Sequence, residues 1–183
     1  MALRLAESSL LNLVLPRWRW RGFQAGYPTP WSSEFGLGGR DKESAHNEML
    51  KVAITGASGF IGRQLVSDHL ARGDKVNILS RRDVSFPKEV CCYVGDIARD
   101  LPHGFPGDAD ILYHCAAELK DPGRMTETNV LGTRRLVDAA DGRIGRWVQL
   151  SSVGVYGQHR EGLIDEAWPI SPDNDYERTK ATA

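Results

Sequence analysis

The stretch AITGASGFIGRQLV, residues 53–66, constrains the fold of this 183-residue chain more than any other. Gly56, Gly59 and Gly62 stand between a short apolar run and an amphipathic segment. Over residues 60–72, Ile61, Leu65, Val66 and Leu70 share one helical face, and Gly73 supplies a stop. Glycines spaced three apart at such a junction let something approach the backbone where a Cβ would be in the way. Further short, β-branched apolar runs follow as KVNIL (75–79), VCCYV (90–94), DILYHC (110–115) and RWVQLSS (146–152). Within 124–140, Val130, Leu131, Leu136, Val137 and Ala140 form a second helical face. Strand and helix in alternation, with nearly continuous apolar strands, predict an α/β fold: a doubly wound parallel sheet of the Rossmann type, covered on both faces.

Composition narrows the function classes. A formal net charge of -1 gives no electrostatic footprint for nucleic acid, and no run of about 18 apolar residues is available to span a bilayer. Cys91, Cys92 and Cys115 lack CxxC spacing and read as reduced core thiols, which favours a cytoplasmic setting. The five histidines are scattered without ligand spacing, so no metal site is expected and each reads as a surface or core residue. Residues 1–48 hold three of the five tryptophans and no sustained period, and read as a disordered extension or a misassigned start, with Met49 a natural beginning. Their Arg cluster follows the apolar run instead of preceding it, which argues against a secretory signal, while an Arg-bearing transit peptide stays open. Residues 49–183 form the predicted domain.

The glycines then acquire a purpose. Gly56 suits the tight turn leaving a strand, Gly59 admits a pyrophosphate against the backbone, and Gly62 lets the helix pack close to the sheet. The ligand predicted is a dinucleotide, its phosphates at the helix N-terminus. The next strand ends in Ser80, Arg81 and Arg82 where NAD-preferring sites place an acid, so a hydroxyl and two guanidinium forks are offered to a 2′-phosphate and NADP is preferred. A solvated turn is the alternative. In YERTK, residues 176–180, Tyr176 and Lys180 lie at i and i+4 on one helical face, and an ammonium there is expected to lower the phenol's pKa toward acid/base use.

Six motifs in order resemble the extended short-chain dehydrogenase/reductases, the NAD(P)-dependent epimerase/dehydratase group acting largely on nucleotide sugars. TGASGFIG (55–62) is similar to its phosphate turn, GDI (95–97) to its adenine-side loop and HCAA (114–117) to the strand end beside the nicotinamide ribose. TNVLGT (128–133), SSVGVYG (151–157) and YERTK resemble its central-helix asparagine, catalytic-serine and Tyr/Lys motifs. The resemblance implies a cofactor site of Gly56, Ser58, Gly59, Phe60, Ile61, Gly62, Ser80, Arg81, Arg82, Asp96, Ile97, Ala116, Ala117, Tyr176 and Lys180. It implies catalysis by Ser152, Tyr176 and Lys180, with Asn129 ordering the site. It also implies a nucleotide-sugar substrate and a homodimeric full-length parent.

Two departures qualify this. Where the 4,6-dehydratases follow the catalytic hydroxyl with an Asp-Glu pair, this chain has Val153 and Gly154, which removes the elimination acid and base but leaves epimerisation and carbonyl reduction open. The chain also stops three residues after Lys180, so the fold is expected to be incomplete at its C-terminus, with the substrate domain absent. A non-catalytic dinucleotide-binding or redox-sensing protein, or an inactive fragment of the enzyme, is the alternative.

Overall fold

The computed structural model describes residues 48–158 and 162–183. The reading of residues 1–48 as an extension falls, apart from Glu48, outside the described residues. The compact unit runs from Met49 to Ala183.

Five parallel strands form its sheet: β1 (Lys51–Thr55), β2 (Lys75–Ser80), β3 (Val90–Val94), β4 (Ile111–His114) and β5 (Arg146–Gln149), in the order β3-β2-β1-β4-β5. Each predicted apolar run is therefore a strand. Thr55 pairs with Leu79 on one side and His114 on the other, and His114 pairs with Gln149, so the strand ends align along one edge. The chain winds from β1 toward β3 and then crosses to β4, which makes the carboxyl edge between β1 and β4 the topological switch point, where open α/β sheets hold ligands. Val52, Ala53, Ile54, Ile78, Leu112 and Leu136 are fully buried at its centre.

Helix α1 (Phe60–Ala71) buries Gly62, Leu65, Val66 and His69. This corrects the predicted face. Ile61 is exposed and Leu70 half-buried, because the absent Cβ at Gly62 lets the helix settle on the turn below it and rotates 62, 65, 66 and 69 inward. His69 tolerates burial through Asp74 Oδ2 at 2.7 Å and the Tyr113 hydroxyl at 3.2 Å. Gly73, at φ +82°, ends the helix as predicted, with its N–H on the Leu70 carbonyl at 3.0 Å.

The second helical region is not one regular helix. A short α2 (Pro122–Met125) runs into a π-helical stretch, Thr126–Leu131, and then α3 (Gly132–Ala140). Leu136 and Ala140 face the core, but Val137 is exposed, against expectation, because the wider π turns shift the facing residues. Cys91 is likewise exposed, since β3 lies at the edge of the sheet and none of its residues is fully buried. Two further elements close the domain: a 3₁₀ turn at Val153–Tyr156, and α4 (Asp175–Thr182) behind its cap Asn174. Among the described residues no helix is long and apolar enough to cross a membrane.

Candidate active site

Past Thr55 the backbone turns at Gly56, whose φ is +70° and where a Cβ would stand 2.7 Å from the Ala116 nitrogen. Only glycine fits there. The Gly59 N–H closes the turn on the Gly56 carbonyl at 2.9 Å, and α1 starts from Gly59 with no side-chain cap. The N–H groups of Phe60, Ile61 and Gly62 thus leave the helix end without acceptors inside the helix. A Cβ on Gly62 would overlap the Gly56 carbonyl oxygen and lie 2.7 Å from Ala57 Cα, so helix and turn are in backbone contact. Free donors, the positive end of the helix and missing side chains together fit a pyrophosphate. Phe60 is 97% exposed, which leaves it and Ile61 to serve a phosphate through backbone N–H alone. Ser58 gives its carbonyl to Arg63 Nε at 3.1 Å.

At the end of β2, Arg81 and Arg82 are exposed, and Ser80 Oγ accepts the Arg82 N–H at 3.4 Å. Beyond β3, Asp96 Oδ1 accepts the Ala98 N–H at 2.9 Å, which holds the loop and leaves its other oxygen available. Ile97 turns into the core, where a Cβ on Gly132 would stand 3.0 Å from its carbonyl oxygen; its side chain packs away from the cleft. Arg135 Nη1 fastens this loop through the carbonyls of Ile97 and Ala98 at 3.2 and 2.8 Å.

The remaining residues meet beyond β4 and β5. Helix α4 begins with Asn174 Oδ1 accepting the Glu177 N–H at 2.9 Å, while Glu177 Oε2 accepts the Asp173 N–H at 2.9 Å. Lys180, 7% exposed, donates from Nζ to the Leu150 carbonyl at 2.8 Å, pinning α4 to the end of β5. Burial lowers the Lys180 pKa and, beside it, pushes the Cys115 thiol up to about 11, with Lys180 drawing Cys115 partly back. Tyr176 is half-buried and burial raises its pKa. The lowering expected from Lys180 is therefore not found: desolvation governs the phenol. Ser152 Oγ accepts the Gly154 N–H at 3.1 Å, so its own hydrogen is free for a substrate oxygen. Glu177 Oε1 lies against Gly154, in space that a Cβ would take.

Asn129, 2% exposed, sits in the π-helical stretch. Its Oδ1 accepts the Glu118 N–H at 2.7 Å, and its Nδ2 donates to the Glu118 carbonyl at 3.0 Å and Thr179 Oγ1 at 2.9 Å. Thr179 directly precedes Lys180, so Asn129 ties the loop after Ala117 to α4. Ala116 and Ala117 lie half-buried between these elements.

The NAD dependent epimerase/dehydratase family model matches residues 52–183, all but the first three residues of this domain. The chain belongs to that family. This epimerase/dehydratase domain is 37% identical over 148 residues to sterol demethylase protein B of Methylococcus capsulatus, covering 73% of this chain and 45% of the relative. It is 31% identical over 157 residues to a dTDP-glucose 4,6-dehydratase of Streptomyces niveus, covering 72% and 46%. Among solved structures it resembles the Bordetella bronchiseptica enzyme WbmH in complex with NAD+, with 28% identity, a TM-score of 0.61, and coverage of 73% of this chain and 50% of that one. The chain thus spans about half the length of the curated relatives it matches.

The predicted residues of the epimerase/dehydratase site fall along one sheet edge, apart from the inward-turned Ile97 side chain. Thr55, His114 and Thr133 were missed, although all three are buried against this edge. His114 opens the HCAA motif, whose resemblance implies only Ala116 and Ala117 as cofactor residues; its ring reads from sequence as a surface or core histidine, and the structure buries it.

Proposed function

We propose that this chain is the dinucleotide-binding part of an NAD(P)-dependent epimerase or reductase that transfers hydride at a carbinol or carbonyl carbon of a nucleotide sugar. The observation that carries the reading is Lys180 held to Leu150 with Tyr176 one helical turn away, at the same sheet edge as the uncapped glycine turn. When bound, the dinucleotide supplies the hydride acceptor or donor. The Phe60, Ile61 and Gly62 N–H groups hold its phosphates, and Asp96 meets the adenine side. Ser152 donates its free hydrogen to the reacting oxygen. In the oxidative direction Tyr176 takes the hydroxyl proton as that carbon gives up hydride; in the reductive direction Tyr176 returns a proton to the carbonyl oxygen. Lys180 holds the nicotinamide ribose.

Val153 and Gly154 provide no elimination acid or base, which separates the proposed reaction from that of the dTDP-glucose dehydratase relative. Ser80, Arg81 and Arg82 support NADP as the preferred form, with a 2′-phosphate on the guanidinium groups. A cytoplasmic homodimer belongs to the same proposal, supported by three free thiols and by the family resemblance. The test is turnover of a nucleotide-sugar carbonyl followed through nicotinamide absorbance in protein carrying this domain. Tyr176→Phe is expected to lower kcat by about 10²- to 10⁴-fold with dinucleotide affinity retained. A Tyr176→Phe protein with wild-type kcat would remove Tyr176 from the chemistry.

A further inference from the structure

Buried behind the sheet edge is a chain of side chains that the reaction as described does not use. The Ala116 N–H donates to Thr55 Oγ1 at 3.2 Å, and Thr55 Oγ1 lies 2.7 Å from His114 Nδ1. On the far side of the ring, His114 Nε2 lies 2.9 Å from Thr133 Oγ1, which donates to the Asn129 carbonyl at 2.6 Å. Asn129 Nδ2 continues to Thr179 Oγ1, which donates to the Tyr176 carbonyl at 2.8 Å. Thr55, His114, Asn129, Thr133 and Thr179 are all buried.

Donor counting leaves one arrangement. Thr133 has a single hydroxyl hydrogen, which goes to the Asn129 carbonyl, so the proton between Thr133 and the ring must sit on Nε2. His114 Nδ1 is then an acceptor and receives the Thr55 hydroxyl hydrogen, while Thr55 oxygen receives the Ala116 N–H. Every donor meets one acceptor, and the ring is neutral. Burial, with a smaller contribution from Lys180, lowers the His114 pKa to about 4, in keeping with that state.

The two ends of this chain differ in role. Thr55 immediately precedes Gly56, and Ala116 is the residue that a Gly56 Cβ would strike, so one end frames the glycine turn. The other end holds Thr179 between Tyr176 and Lys180. We propose that His114 is a positioning residue: fixed as the Nε2–H tautomer between Thr55 and Thr133, it ties the dinucleotide turn to the helix carrying Tyr176 and Lys180. Ordering of the turn by a dinucleotide then orders the Lys180 ammonium, and the reverse holds by linkage. The inference rests on the functional reading above, in which the turn binds the dinucleotide and Lys180 reaches it.

The link is cut most gently at Thr133, where Val keeps the shape without the hydroxyl and Ser keeps the hydroxyl. NAD+ dissociation constants are measured for the wild-type chain, Thr133→Val, Thr133→Ser, Lys180→Met and the Thr133→Val/Lys180→Met double variant. At short labelling times, amide exchange of Arg178–Ala183 is followed in the same proteins without nucleotide. Thr133→Val is expected to weaken NAD+ about fivefold, the loss of one net hydrogen bond, and to speed exchange in α4, whereas Thr133→Ser stays within about twofold of wild type. In the Lys180→Met background the Val substitution is expected to have no further effect, because its route to the dinucleotide is gone. An equal weakening in both backgrounds would make Thr133 merely structural and overturn the proposal, as would unchanged α4 exchange in Thr133→Val. If the wild-type chain binds neither NAD+ nor NADP+, the functional reading falls, and the exchange comparison alone decides: acceleration with Val but not Ser supports the tie, and any other pattern overturns it.

Discussion

Gly62→Ala is expected to destabilise the domain by about 3 kcal/mol, near the upper end of what overpacking costs, and to lower its unfolding midpoint by roughly 10 °C. The methyl group has nowhere to go. It would overlap the Gly56 carbonyl oxygen and press on Ala57 Cα, and these are backbone atoms that no rotamer change can move aside. Relief requires α1 to lift from β1, which withdraws Leu65 and Val66 from the core and moves the N–H groups of residues 60–62 away from a bound phosphate. Dinucleotide affinity is therefore expected to fall more than tenfold, well beyond the effect on stability at working temperature. Gly73→Ala is the control. Gly73 also has a positive φ, +82°, but nothing lies within 4 Å of its would-be Cβ, so its replacement carries only conformational strain, about 1 kcal/mol. Thermal unfolding of the two variants separates backbone contact from backbone conformation, and a Gly62→Ala midpoint within a degree of wild type would contradict the contact.

Acidification is expected to remove about 3 kcal/mol of stability between pH 6.5 and pH 4, through His114. Burial and the nearby Lys180 charge lower its pKa from 6.5 to about 4 in the folded chain, so in this window the unfolded state binds the proton that the folded state refuses. Stability falls as pH falls and is regained as pH rises toward 6.5. Asp74 adds to the loss at still lower pH. Burial alone would raise its pKa, but bonds from His69, the Leu50 N–H and Arg72 outweigh that and hold it below the ordinary carboxylate value. Its contribution is present above its unfolded pKa and disappears only as pH drops through the lower folded one. Urea unfolding at pH 7 and pH 4 measures the His114 contribution, and His114→Gln should remove most of the difference. A wild-type chain equally stable at both values would contradict the buried neutral ring.

Much of the fold was legible because its signals are local. A five-residue apolar run such as KVAIT reports its own strand, and the Gly56, Gly59 and Gly62 spacing reports a strand-to-helix turn without any distant information. The same locality explains the misreadings. Ile61 and Leu70 fit the periodicity of α1, but Gly62 decides how the helix sits, through contact with Gly56 and Ala57. Counting regular turns across Thr126–Leu131 places Val137 inside, but that stretch winds as a π-helix. Cys91 was placed in the core because sequence does not reveal that β3 is an edge. Tyr176 and Lys180 are recognisable by spacing, yet the hydrogen bond from Lys180 to the Leu150 carbonyl, which pins α4 to the end of β5, joins residues 30 apart. His114 was the least legible, since its partners Thr55 and Thr133 lie 59 and 19 residues away and none of the three stands out by type.

In the proposed function the sheet edge from Gly56 to Lys180 holds a dinucleotide, with Arg81 and Arg82 reading its ribose phosphate. Calorimetric titration of the chain with NADPH and NADH, in wild type and Arg81→Ala, tests it most directly. Saturable one-to-one binding is expected, tighter for NADPH. Arg81→Ala should narrow the gap by about 1 to 2 kcal/mol, or roughly fivefold to thirtyfold, the low side of a charged hydrogen bond because both guanidinium groups are exposed. Binding of neither dinucleotide would contradict the site itself, and equal wild-type affinities would contradict the role given to Arg81 and Arg82.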